Sequence, residues 1–287
     1  MQSEQLNNLL NTYRISLNWD PEFWTENKLE KLKNYMEHNN LNCCIVSVSG
    51  GIDSAVTYKL CKEAQKRYPN VVKKVVAINQ PICSSKWALD RSKELTDEND
   101  LKVIDQTDVF LNLVKKVSPE FDQNKLSFAE NQLKSYMRTP VNYYVSQMLN
   151  GLGYKSIVMG TGNKDEDGYL AYFCKYGDGA VDVQLIADLH KSQVFKLGEF
   201  LKVPNSILKA KPSADLWDGQ EDEKELGFSY DFIELYIGLY YMLDEFQKDE
   251  FIKTLDNEAL EEFLIYEKKA NEIHQRNFHK LKGVVNL

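Results

Sequence analysis

The sequence predicts an α/β protein, a doubly wound parallel sheet of five strands with extra helices at the N- and C-terminal ends. Three observations predict it. Short β-branched runs alternate with segments of helical period, two of those runs end in glycine-containing loops, and the pattern outside the alternation is helical. At 287 residues the chain is long enough for a sizeable single core. It is expected to form one domain, with a helical preface over 1–40, an α/β core over 41–205, and a mobile loop and helical region over 206–287.

In the first forty residues apolar positions recur at helical spacing, with a turn at Asp20-Pro21 ahead of the stretch Leu29 to Met36. The run Cys43, Cys44, Ile45, Val46, Val48 is too short for a helix and is bounded by Gly50-Gly51, which makes it a buried strand. Ala55, Val56, Leu60 and Ala64 then share one helical face. Val72 to Ile78 is a second strand, Lys86 to Asn99 a helix, and Leu101 to Ile104 a third strand. A helical segment, Tyr143 to Leu149, follows Pro140. Ser156 to Met159 is the fourth strand and runs into Gly160-Thr161-Gly162-Asn163, and Val181 to Leu185 is the fifth. Beyond it, His190 to Val203 reads as a helix and Tyr230 to Phe278 as a long helical tail. Between them Lys209 to Gly227, rich in Pro, Asp, Glu and Gly, suits a lid and a solvated connection equally. Strands alternating with helices build a parallel sheet, whose ligands sit at the carboxyl ends of the strands. The loops after the first and fourth strands should therefore face one pocket.

Composition removes several classes. The Asn-rich start, Met1 to Arg14, lacks the basic segment and apolar run of a signal peptide, and no apolar stretch reaches the length of a membrane span. Five cysteines, Cys43, Cys44, Cys61, Cys83 and Cys174, are odd in number and form no C-x-x-C pair, which argues against a disulfide framework or a common zinc site and points to the cytoplasm. A formal net charge of -8 disfavours nucleic acid as a partner.

The most specific feature is Ser47-Val48-Ser49-Gly50-Gly51-Ile52-Asp53-Ser54, set between a buried strand and an amphipathic helix. Two glycines let backbone N–H groups approach an anion, and the following helix N-terminus favours phosphate. Ser49 and Ser54 add hydroxyl donors, and Asp53 supplies the hard oxygen that Mg²⁺ requires. A Gly-Gly turn with one capping residue would explain Asp53 or Ser54 alone, but not the whole order. The Walker pattern G-x-x-x-x-G-K-[ST] is absent.

This SGGxDS loop resembles the signature of the ATP pyrophosphatase superfamily, whose members cleave ATP between the α and β phosphates. The run Gly160-Thr161-Gly162-Asn163-Lys164-Asp165-Glu166, then Lys175-Tyr176-Gly177-Asp178-Gly179 and Asp182, resembles the NAD synthetases within it. So do Lys191 in His190-Lys191-Ser192, Pro212-Ser213-Ala214-Asp215-Leu216, Leu226-Gly227-Phe228-Ser229-Tyr230 and His279-Lys280, in the same order. The resemblance spans about Cys43 to Lys280 and implies the Rossmann-like fold of the adenine nucleotide alpha hydrolases. It implies Mg²⁺ on Asp53 and Glu166. ATP would lie against Ser47, Val48, Ser49, Gly50, Gly51, Ile52, Asp53, Ser54, Thr161, Lys191 and Ser213. Asp53, Lys191 and Ser213 would act in catalysis, and Arg138, Lys175, Asp182, His279 and Lys280 would meet deamido-NAD.

Three departures bear on the transfer. One additional residue between Glu166 and Lys175 puts Asp167 in competition for the metal, although the distance from Thr161 favours Glu166. Lys134-Ser135-Tyr136-Met137-Arg138-Thr139-Pro140 stands where the family has Ala-Arg-x-Arg-Met, and Ser213 replaces a threonine. The implied reaction activates the nicotinate carboxylate as an adenylate, releases pyrophosphate and lets ammonia displace AMP. The forty residues before the first strand are too few for a glutamine amidase domain, so free ammonia is the expected donor. A homodimer is implied as well, with Tyr143 to Leu149 and Tyr236 to Leu243 serving either as interface or as core. The competing readings are a tRNA-modifying ATP pyrophosphatase, which would want a basic surface or paired cysteines, and a nucleotide sensor without turnover.

Overall fold

The computed structural model describes residues 1–120, 126–213, 219–284 and 286. Helix α1 (Glu4–Ser16) is capped by Ser3, and α2 (Pro21–His38) by Asp20 with Pro21 at its first turn, so the Asp20-Pro21 turn starts a helix as its chemistry dictates. Strand β1 (Cys43–Ser47) pairs in parallel with β2 (Lys74–Asn79) on one side and β4 (Ser156–Gly160) on the other. The edges are β3 (Leu101–Val103) and β5 (Val183–Gln184), giving the order β3-β2-β1-β4-β5. The chain builds outward from β1 in one direction, then returns to build in the other. The switch point therefore lies at the carboxyl ends of β1 and β4, where open parallel sheets bind ligands.

Alternation along the strands sorts the core into two faces. Cys44, Val46, Val75, Ala77, Ile157 and Met159 pack against α2, α3 (Ile52–Arg67) and a later helix that carries Val194 and Leu197. On the other face Cys43, Ile45, Val76 and Ile78 meet Val145 and Leu149. Between β2 and β4 run α4 (Lys86–Leu95), α5 (Thr107–Val117) and α6 (Leu126–Gly151), which supplies those two side chains. Pro140 was expected to precede a helix, but it lies within α6. Its ring removes one N–H donor and leaves the Tyr136 carbonyl without its usual helical partner, a loss that the long helix tolerates.

After β5 come α7 (Lys191–Phe200), α8 (Asn205–Leu208) and α9 (Asp222–Leu226). Thus the segment Lys209 to Gly227 contains a short helix of its own. Ala214, Asp215 and Leu216 of the quoted motif lie outside the described residues. The expected single tail from Tyr230 is broken into α10 (Tyr230–Leu235), a π turn (Tyr236–Tyr240), α11 (Glu245–Lys253) and α12 (Asn257–Asn277), with Asp244 and Asp256 capping the last two. Phe232, Tyr236, Tyr240 and Phe263 form an aromatic core there, and it takes in Leu6 and Leu10 from α1. The two N-terminal helices therefore serve different cores, α2 the sheet and α1 the C-terminal helices. Among the described residues no helix is long and apolar enough to cross a membrane.

Candidate active site

Gly50 makes the turn after β1. Its φ is +84°, and a Cβ there would stand 2.7 Å from the Ala88 carbonyl oxygen at the α4 side of the pocket. Gly50→Ala should lower the thermal midpoint, with a cost of about 1–3 kcal/mol. Gly51→Ala is the control, because Gly51 has φ -91° and its Cβ would meet nothing closer than Ser49 Oγ at 3.4 Å. Equal losses in thermal melts of the two variants would contradict this reading.

Within the loop the Ser49 amide donates to Ser54 Oγ at 3.2 Å, the Gly51 amide to Ser49 Oγ at 3.3 Å, and Ser54 Oγ to the Gly51 carbonyl at 3.0 Å. No side chain caps α3 at Gly51, and the first residues of the helix, Ile52, Asp53 and Ser54, line the pocket, where a helix N-terminus favours an anion. The second loop is held by Asn163. Its Oδ1 accepts from the Asp165 and Glu166 amides, each at 3.0 Å, and its Nδ2 donates to Asp53 Oδ1 at 2.9 Å. That one amide ties the two glycine loops together. Glu166 then projects from a π-helical turn, Lys164–Leu170.

Lys191, the first residue of α7, closes the group. Its Nζ donates to Asp53 Oδ2 and to Glu166 Oε1, both at 2.7 Å, and lies 4.9 Å over the Tyr230 ring. Tyr230 also donates its hydroxyl to Glu166 Oε1. Burial works against the ammonium, yet Asp53 and Glu166 outweigh it and hold the Lys191 pKa above its ordinary value. One cation serves two carboxylates, and their pKa values separate. Burial pushes Asp53 up against the pull of Lys191, whereas at Glu166 burial is overcome by Lys191, Tyr230 and Asn163 and the pKa is lowered.

A cavity of about 1070 Å³ opens over this group. Ser47, Val48, Ser49, Gly51, Ile52, Asp53, Ser54, Thr161, Glu166, Lys191 and Ser213 line it, and Arg138, His279 and Lys280 line it from α6 and the C-terminal 3-10 turn. Lys280 donates to the Ala171 and Phe173 carbonyls, and burial lowers its pKa. Gly50 shapes the loop without lining the cavity. Lys175 and Asp182 are not brought to its wall. Lys175 Nζ reaches the Gly283 carbonyl at 3.3 Å, and Asp182 is committed to the Val158 amide at 2.8 Å and the Tyr143 hydroxyl at 3.1 Å. Asp167, also at the cavity wall, accepts from Gln184 at 2.8 Å, and it is Glu166 that shares the Lys191 ammonium with Asp53.

Among the polar residues here that sequence gave no role are Asn163, Tyr230 and Asp222. The first two sit inside motifs already quoted, but their type alone does not reveal what they hold. Asp222 is buried at the cavity wall, with Oδ2 3.2 Å from the Tyr230 hydroxyl and Oδ1 lacking a partner. Burial, reinforced by the charge of Glu166, pushes its pKa up to about 7. A carboxyl raised this way loses stability with pH. The unfolded chain releases its proton in the ordinary carboxylate range while the folded one holds it to about 7, and above that the deficit is constant. Asp222→Asn should therefore stabilise the ligand-free protein at pH 8, by at most about 4 kcal/mol, with the gain shrinking toward pH 5. Melts across that range that show a pH-independent difference would count against it.

The NAD synthase family model matches residues 24–283. The chain belongs to the NAD synthase family. NH(3)-dependent NAD(+) synthetases are among its relatives: that of Methanococcoides burtonii is 37% identical over 202 residues, covering 69% of this chain and 72% of its own. That of Saccharolobus solfataricus is 35% identical over 243 residues, covering 84% and 82%. The structure of NMN synthetase from Francisella tularensis superposes with a TM-score of 0.73 at 27% identity, covering 94% of this chain and 99% of that one. NAD synthases are ATP-using enzymes of the ligase class, built on the adenine nucleotide alpha hydrolase-like fold found here. In this NAD synthase family member, the paired glycine loops and the Lys191 cluster occupy the sheet's switch point.

Proposed function

We propose that the chain makes NAD from deamido-NAD, ATP and ammonia, releasing AMP and pyrophosphate. One observation carries the reading: in a family of ATP-using ligases, Lys191, Asp53 and Glu166 converge at 2.7 Å where the two glycine loops meet. A carboxylate is a poor electrophile, because its charge repels ammonia and oxide cannot leave. Its oxygen attacks the α-phosphorus of ATP, the bond to the bridging oxygen breaks, and pyrophosphate departs. Ammonia adds to the carbonyl of the acyl adenylate and AMP leaves. Positioning and charge stabilisation are what the protein contributes. Loop and α3 amides with Ser49 and Ser54 cradle phosphate oxygens, Lys191 offsets charge moving to the leaving group, and Arg138, His279 and Lys280 face the acid substrate.

Mg²⁺ fits the donor set. Two hard carboxylates already share one ammonium, and two protein oxygens completed by phosphate and water are the usual Mg²⁺ environment. Asp53 and Glu166 would hold it, and it would supply neutralisation of phosphate charge. Ser213, on the same wall, would contact ATP. Lys175 and Asp182 fit the substrate site less well, for the geometric reasons given above. Tyr144 and Met148 on α6 and Leu152 just past its end are 66%, 47% and 74% exposed, whereas in the Tyr236 to Leu243 segment Tyr236, Ile237 and Tyr240 are core and Tyr241 and Met242 are the exposed large side chains, at 41% and 82%. The α6 surface is thus the better homodimer face, and sedimentation velocity tests it. We place the reaction in the cytoplasm.

The NMN synthetase neighbour supports a second reading, the same chemistry on nicotinate mononucleotide. Product formation from each acid, with ammonium or glutamine and with AMP and pyrophosphate followed together, decides between them. Amide from the dinucleotide with ammonium supports the first reading, amide from the mononucleotide alone the second, and neither removes both.

A further inference from the structure

Beneath the Lys191 ammonium lies a buried charged group that the reaction above does not use. Asp165 is 0% exposed and His190 2%. One Asp165 oxygen is 2.6 Å from His190 Nδ1, and the other accepts the Lys191 backbone N–H at 2.7 Å. Across the ring, Lys164 Nζ stands 3.1 Å from His190 Nε2. An ammonium has only hydrogens to donate, so Nε2 is the acceptor and Nδ1 carries the ring hydrogen. The ring is thereby oriented with its Nδ1–H on Asp165 and Nε2 toward Lys164. Tyr13 of α1 closes over the ring edge-on, at 6.2 Å and 84°.

The geometry explains what this group can do. Lys191 opens α7, where a backbone N–H has no partner within the helix. Asp165 takes that N–H from a different segment, the π turn that also carries Glu166. Glu166 and Lys191 are thus locked to each other through the residue next to Glu166, while Asn163 fixes Asp53 to the same turn. His190 holds the Asp165 carboxylate in the one orientation that does this.

We propose that Asp165 and His190 are positioning residues that set the Lys191 ammonium over Asp53 and Glu166, without touching substrate. This rests on the ligase reading for what Lys191 does. Asp165→Asn is the test, since an amide can accept from only one of the two N–H groups and presents its own NH₂ to the other. In the full chain its kcat should fall about 10- to 100-fold, with KM for ATP and for the acid within about twofold and a cooperative melt retained. His190→Gln, which can still donate to Asp165, should lose less than His190→Ala. Nitrogen-15 NMR of the wild-type chain, which needs no variant and no turnover, should show His190 as the Nδ1–H tautomer.

Near-normal kcat in Asp165→Asn, losses in kcat and KM that merely track a collapsing melt, or an Nε2–H tautomer in the wild type would each overturn the proposal. A wild-type chain that forms no amide yet keeps the Nδ1–H tautomer would remove the ligase reading and retain the dyad.

Discussion

Asp53→Asn should reduce pyrophosphate release by about 100-fold or more while leaving the melt cooperative. The asparagine fills the same space and can still accept from one donor, so Lys191 or Asn163 keeps a partner. What disappears is the charge. A neutral oxygen is a weaker Mg²⁺ ligand, and Lys191 is left paired to Glu166 alone. Folding should suffer little, because burial already disfavours the ionised form of Asp53. The measurement is pyrophosphate release with ATP, Mg²⁺, ammonium and the preferred acid, beside a thermal melt. A rate within a few-fold of wild type would remove Asp53 from the proposed metal site.

Lys191→Met should abolish detectable turnover and also destabilise the ligand-free protein, by about 3 kcal/mol at pH 8. The side chain is 4% exposed and its ammonium is the shared partner of two carboxylates. Methionine fills the space but leaves Asp53 and Glu166 facing each other. The sign with pH follows from Glu166, whose pKa is lowered in the folded chain. Its contribution is present above the ordinary glutamate range and is lost as pH falls through its folded value. In the variant that advantage is gone, so the difference from wild type should be largest at pH 8 and shrink on acidification. Added Mg²⁺ should raise the melting temperature of the variant more than that of wild type, since it can replace the missing charge. A Mg²⁺ effect equal in both proteins would argue against two carboxylates sharing one cationic position.

The fold was legible because its signals are local. The Cys43 to Val48 run, the Gly50-Gly51 turn and the Ala55, Val56, Leu60 face each lie within one element, and they became β1, the loop and α3. Lys86 to Asn99 ended early at Leu95, and Val181 to Leu185 shortened to two paired residues, because strand and helix ends depend on neighbours. Pro140 misled for the same reason. Breaking a helix is its local tendency, and the surrounding packing overrode it.

The candidate site divides along similar lines. Asp53 and the glycines stood out as residue types with obvious chemistry on a loop after a strand, whereas Glu166 and Lys191 were marked by the family resemblance. Asn163, Tyr230, Asp165 and His190 did not stand out, since an asparagine that bridges two loops looks like any other asparagine until both loops are in place. Asp182 shows the converse: the resemblance implied a substrate contact, but its carboxylate is taken by the Val158 amide and the Tyr143 hydroxyl.

By itself, then, the sequence determined the α/β class, the two loops that face one pocket and the resemblance to NAD synthetases, all of which are carried by short-range pattern and composition. Only the tertiary structure decided that α1 belongs to the C-terminal aromatic core, that Lys191 bridges residues 138 and 25 positions away, and that a buried carboxylate and histidine stand behind it. Those are choices of partner across long separations. They depend on which groups are left unpaired once the chain is packed, and no local stretch of sequence contains that information.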